Sequence, residues 1–194
     1  MQATVFLGIS VHSSLHHWWV MRFESWDSAS YADQSIYCWL DGRGHWMRTQ
    51  KGKEQEMSNI LEQGRLFFEA CETGRGWDGC KEYCHPEATF AAQAGALADV
   101  VTLEGYTEWM KGLLTPIPDG RYELKFFAAD EERNCVAAFA VFHGTQTGPG
   151  GPGEPTGKTV AADYVYAMEF EGDKIRHMTK IWNDTVSLQQ LGWA

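Results

Sequence analysis

The chain has 194 residues, 44% hydrophobic and 22% charged, the balance of an ordinary globular protein with a core of its own. A formal net charge of −10 argues against nucleic acid and anionic membrane as partners, because phosphate binding needs clustered Lys and Arg. No apolar run reaches the roughly 18 to 20 residues of a membrane span, and no basic residue precedes the short apolar start, so no secretory leader is expected. Five cysteines (Cys38, Cys71, Cys80, Cys84, Cys135) are odd in number and sparse, and read as reduced thiols of a cytoplasmic protein.

Residues 1–56 and 57–194 differ in character. The first part holds Trp18, Trp19, Trp26, Trp39 and Trp46 and the histidines His12, His16, His17 and His45, without a sustained period of 3.6 or 2. It reads as an irregular extension, disordered or lying upstream of a start at Met57. His12-x-x-x-His16-His17 has a spacing that could gather imidazoles on one helix face, but no acidic or cysteine partner stands nearby. Cys80, Cys84 and His85 likewise lack a second ligand pair. No metal is expected.

The second part is strongly patterned. Ser58 can cap a helix whose stripe is Ile60, Leu61, Phe67, Phe68 and Cys71, closed by Thr73-Gly74. Trp77, Cys80 and Cys84 suggest a second short helix, stopped at His85-Pro86, and Ala88-Thr89-Phe90 begins a strand. Leu103, Tyr106, Met110 and Leu113 place a third helix before Pro116 and Pro118. Strands then follow over 121–129 and 135–145. The segment 144–158, with its Gly and Pro, reads as a flexible connection, and two long strands cover 159–170 and 174–183. Helices first and strands after is an α+β pattern.

A two-residue loop at Gly172-Asp173 sets the register of the last hairpin. Regular alternation gives one face Ala162, Tyr164, Tyr166, Met168, Phe170, Ile175, His177, Thr179, Ile181 and Asn183. The other carries Glu169 opposite Arg176, with Val165, Met178, Lys180 and Trp182. The ion pair marks the second face as outer, and its apolar content suggests a homodimer interface. The first face then has the make-up of a small-molecule pocket, apolar with a few polar points. A bulge in either strand flips part of this assignment.

Glu171-Gly172-Asp173-Lys174-Ile175, Trp182-Asn183, Gln190-Leu191-Gly192 and His85-Pro86-Glu87-Ala88-Thr89-Phe90 together resemble the SnoaL-like branch of the NTF2-like (cystatin-like fold) superfamily over about residues 57–194. The resemblance implies a cone in which a bent antiparallel sheet wraps N-terminal helices and encloses a pocket. It also implies an acid/base Asp near the end of the last strand, as in polyketide cyclases. That position falls on Asn183, which takes no proton at neutral pH, with Asp184 next to it on the other face. The base of the related steroid isomerases matches Ala92 here, and the Arg-x-Asp of the epoxide hydrolases is absent.

The expected site therefore has His177 as general base, with Asn183 and Asp184 as the further catalytic candidates. Tyr164, Tyr166, Met168, Ile181 and His143 are the expected substrate contacts, and His85 is a weaker catalytic candidate. The expected activity is cofactor-independent proton transfer on a small hydrophobic carbonyl compound: isomerisation, dehydration or cyclisation. The alternative is a non-catalytic domain that binds a ligand or dimerises. Asp184 also suits a cap on the last helical turn.

Overall fold

The computed structural model describes residues 38–40, 46–48 and 50–194 apart from residue 131, with side chains from Asn59 onward. The chain divides into two compact units, Met1–Glu56 and Met57–Ala194. In the first, β1 (Cys38–Leu40) pairs antiparallel with β2 (Trp46–Arg48). His12, His16, His17 and His45 lie outside the described residues, as does most of the expected irregular extension.

Helix α1 (Gln50–Glu72) begins well before the expected cap at Ser58. The preceding Lys, Glu and Gln residues have high helix propensity and continue it upstream. Ile60, Phe67, Phe68 and Cys71 are buried along one stripe, and Gly74 ends the helix with φ of +70°. A short α2 (Gly76–Cys80) and a 3₁₀ turn follow. Cys84, expected in a helix, instead opens β3 (Cys84–Ala92). Pro86 is tolerated there because β3 is an edge strand. Helix α3 (Leu103–Leu113) is capped by Thr102, whose hydroxyl accepts the Gly105 N–H at 3.1 Å.

The remaining strands are β4 (Arg121–Asp130), β5 (Cys135–Thr145), β6 (Thr159–Glu171) and β7 (Lys174–Trp182), followed by α4 (Asp184–Leu191). The sheet order is β3-β7-β6-β5-β4. Three pairings are antiparallel, and β3 joins β7 in parallel. Helices cover one face. Phe68 of α1 packs edge-on to Tyr122 and Phe127 of β4 and to Tyr166 of β6. Tyr106 of α3 stacks on Phe90 of β3 with centroids 4.3 Å apart.

The connection 144–158, expected to be flexible, is held by hydrogen bonds. Gln146 is fully buried. Its N–H donates to the Lys158 carbonyl at 2.9 Å and its own carbonyl accepts from Gly157 at 2.9 Å. Thr156 donates to the Leu191 carbonyl at 2.8 Å, which ties the segment to α4. At Gly148 a Cβ would sit 2.0 Å from the Thr115 carbonyl oxygen, so only glycine allows this approach. Glycine and proline here serve close packing rather than freedom.

Candidate active site

The site depends on one unpaired residue. Phe170 pairs with Ile175, but Glu169 pairs with His177, which leaves Arg176 as a bulge. Beyond it the register moves by one. Met168 faces Met178, Tyr166 faces Lys180, and Tyr164 faces Trp182. The buried, helix-covered face of β7 therefore carries Ile175, Met178, Lys180 and Trp182, while His177, Thr179 and Ile181 turn outward. The solvent-side ion pair does form, with Arg176 Nη2 at 2.6 Å from Glu169 Oε2.

Behind this face lies a cavity of about 260 Å³. Its walls come from α3 (Trp109, Met110, Leu113), β5 (Phe142), β6 (Val160, Ala162, Tyr164), β7 (Lys180, Trp182) and the C-terminal helix with Trp193. Glu72, the last residue of α1, reaches the same cavity. Apolar and aromatic surface dominates, and Glu72, Tyr164 and Lys180 supply the polar chemistry.

Lys180 and Glu72 are joined through two tyrosines. Lys180 Nζ donates to Tyr106 Oη at 2.8 Å. Tyr106 and Tyr166 share a hydroxyl–hydroxyl hydrogen bond, and Tyr166 donates to Glu72 Oε1. Because Tyr166 gives its proton to the carboxylate, Tyr106 donates to Tyr166, and all donors point one way: Lys180, Tyr106, Tyr166, Glu72. Five aromatic rings also stand within 4.8 to 5.8 Å of the ammonium, those of Tyr106, Trp109, Tyr164, Tyr166 and Trp182. Glu72 Oε2 and Tyr164 Oη are buried without a hydrogen-bond partner.

Burial governs the ionisation of both ends. Desolvation pushes Lys180 down to about 8, opposed by the Glu72 charge. Desolvation also raises the Glu72 carboxyl, opposed by the Lys180 charge and by the hydrogen bond from Tyr166. Burial holds Tyr106, Tyr164 and Tyr166 well above the usual phenol range, so they act as neutral donors. The two shifts narrow the energy gap between the ammonium–carboxylate pair and the amine–carboxylic acid pair. One concerted shift of a proton along each link converts the first into the second.

Of the residues expected from sequence, Tyr164 lines the cavity and Tyr166 is a link in the chain. Met168 is fully buried and points inward behind them. The remaining placements correct the expectation. His177, on the outer face, is held between Thr89 Oγ1 at 2.7 Å and Thr179 Oγ1 at 3.1 Å. Ile181 is 54% exposed on the same face. Asn183 has left the strand to cap α4 and accepts the Val186 N–H at 3.2 Å. Asp184 accepts the Ala96 N–H at 2.9 Å and pins the turn after β3. His143 lies beside Arg121 and Gln190 in a separate hollow, 3.4 Å from Glu123. His85 stands 4.0 Å from Glu171, away from the cavity. Among the described residues no group of three or more His, Cys, Asp or Glu side chains is arranged to hold a metal ion.

Sequence reasoning missed Glu72, Lys180 and Tyr106. Two signals pointed to them. Glu72 falls four residues after Phe68 and so continues the buried stripe of α1. Lys180 stands between Met178 and Trp182 at strand spacing, on a face too apolar to be solvated.

An α+β domain with helices on one face of a bent sheet, and with polar groups gathered in an apolar cavity, is of the NTF2-like class. The chain belongs to the SnoaL-like polyketide cyclase family, whose model matches residues 62–191. Similar solved structures show the same fold. AclR of Streptomyces galilaeus, named as a candidate hydroxylase, is 20% identical with a TM-score of 0.58, over 71% of this chain and 87% of its own. A candidate SnoaL-like polyketide cyclase from Jannaschia sp. CCS1 is 16% identical with a TM-score of 0.59, over 70% of this chain and 93% of its own. IdmH of Streptomyces antibioticus, named as a candidate polyketide cyclase, is 18% identical with a TM-score of 0.58, over 69% and 98%. No curated protein sequence matches the chain.

Proposed function

We propose that residues 57–194 form a cofactor-independent acid/base catalyst that moves a proton next to the carbonyl of a small apolar compound. Isomerisation, dehydration and aldol closure of the kind the family name implies all need this step. One observation carries the reading: a carboxyl group and an amine on the wall of one apolar cavity, linked by two tyrosine hydroxyls with every donor pointing the same way. Glu72 takes the proton from carbon, Lys180 or Tyr164 donates to the carbonyl oxygen, and the chain returns the proton afterwards. The catalytic roles first expected of His177, Asn183 and Asp184 pass to Glu72 and Lys180, because the first three side chains are committed elsewhere.

The direct test is uptake of solvent deuterium at the carbon next to the carbonyl of small aromatic ketones, followed by NMR. Protein-dependent exchange is expected, and Glu72→Gln should lower it by about 10²–10⁴-fold in a variant that circular dichroism shows to be folded. Binding of the ketones without exchange above the buffer rate favours the non-catalytic, ligand-binding reading.

The same reading places a second copy of the chain on the outer sheet face. Phe126, Phe139, Val165 and Ile181 pair in one row across β4, β5, β6 and β7. Phe126 is 51% exposed and Ile181 54%. An exposed apolar row of this kind is the composition of a buried interface rather than of a wet surface. The cytoplasm remains the expected compartment, on the strength of the sparse, odd set of cysteines in the sequence.

A further inference from the structure

Lys180 presents a primary amine to a cavity whose other walls are mainly aromatic and aliphatic. Its one hydrogen-bond partner among the described residues is Tyr106, and no described carboxylate forms an ion pair with it. A proton shift down the chain to Glu72 leaves Lys180 as a neutral amine without exporting charge through the apolar wall. Tyr106 accepts a proton from Lys180 as it passes its own to Tyr166, so no phenolate accumulates. An amine held this way is a nucleophile.

We infer that Lys180 binds the substrate covalently, as an imine with an aldehyde or ketone. The inference rests on the acid/base reading above and narrows its substrate class. The nitrogen lone pair attacks the carbonyl carbon. A C–N bond forms, the C–O π electrons move to oxygen, and the proton lost by nitrogen passes to that oxygen, giving a carbinolamine. Glu72, carboxylic acid after the relay has shifted, supplies the proton with which the hydroxyl leaves as water. Amine, ketone and carboxylic acid have then become protonated imine, carboxylate and water, with no change of oxidation state. The positive imine draws electrons from the neighbouring carbon and acidifies its C–H, and the Glu72 carboxylate is the group that takes this proton. The substrate is therefore an aldehyde or ketone with a hydrogen on that neighbouring carbon and an apolar body small enough for a cavity of about 260 Å³. Esters, amides and carboxylic acids do not form the imine.

The experiment uses the full-length protein, 2-tetralone as the probe and sodium cyanoborohydride to reduce the imine, read by intact mass and peptide mapping. A single added mass of one reduced ketone on the peptide holding Lys180 is expected. At neutral pH this amine has on the order of a hundredfold more of its neutral form than an ordinary exposed lysine, and labelling should favour it accordingly. Lys180→Arg keeps a cation and a donor but should lose the adduct. The wild-type map decides whatever the folding of that variant: no adduct, or adducts only on exposed lysines such as Lys81 and Lys125, overturns the inference. Deuterium uptake into 2-tetralone without reductant separates the two claims. Exchange with no Lys180 adduct sinks the imine and spares the acid/base reading, whereas a Lys180 adduct with no exchange upholds the imine and sinks that reading.

Discussion

Lys180 and Glu72 are each expensive where they stand. The first is 5% exposed and the second 2%, and a buried charge left alone costs several kcal/mol. The hydrogen-bonded chain and the surrounding rings offset this in part, and the remainder is written in their displaced ionisation. For Lys180, falling from 10.5 to about 8, the unfolded chain binds more protons between these values. Stability should therefore rise with pH from about 8 to about 10.5, by on the order of 3 kcal/mol. For Glu72, raised from 4.5, the folded state binds more protons, so its contribution is lost as pH climbs from there through the folded value. Urea unfolding across this range should show both slopes. Lys180→Met should remove the alkaline rise and deepen the loss at Glu72, which then has no counter-charge. An alkaline slope unchanged in Lys180→Met would mean that Lys180 is solvated in the folded protein.

At the scale of elements, the bulge in β7 decides what the cavity contains. Deleting Arg176 removes the unpaired residue and leaves every later pairing as it is. Such a protein should remain folded and keep Lys180 inward. Deleting Thr179 should instead turn Lys180 and Trp182 outward and prevent folding, because it exchanges the two faces beyond that point. Circular dichroism melts of the two deletions give the answer, and equal destabilisation would contradict the register. Asn183 belongs to the same scale. Its side chain caps α4, so Asn183→Ala should cost about 1 kcal/mol in chemical denaturation and leave ketone exchange nearly unchanged. A large loss of exchange with full stability would return Asn183 to the chemistry.

At the scale of the molecule, the row Phe126, Phe139, Val165 and Ile181 predicts self-association. The pair of changes Phe126→Glu and Ile181→Glu should turn a dimer into a monomer in light scattering after size exclusion, with little change in melting temperature of the monomer unit. A wild-type monomer at high concentration would assign the face to something other than a second copy. The whole molecule also explains the ordered segment 144–158. Its bonds to α4 brace the helix that bears Leu188 and Leu191, both cavity walls.

The amino-acid sequence by itself determined the α+β class, the long strands and their hairpin turns, and the inward aromatic run of β6. Those follow from period, from turn chemistry and from a resemblance carried by short motifs. It also held Tyr164 and Tyr166 on the inward face of β6, because that strand keeps an unbroken register with β5. What the tertiary structure alone decided was the face of β7. Alternation assigns His177 inward and Lys180 outward, and a single bulged residue reverses both, since strand side chains repeat every two residues. Alternation along the strand does not by itself choose between the two registers. The choice is made by Met178 and Trp182, whose apolar surface is buried only in the shifted register. Glu72 became visible for a related reason, because the partner that makes a buried carboxylate tolerable lies more than a hundred residues away and meets it only in the folded chain.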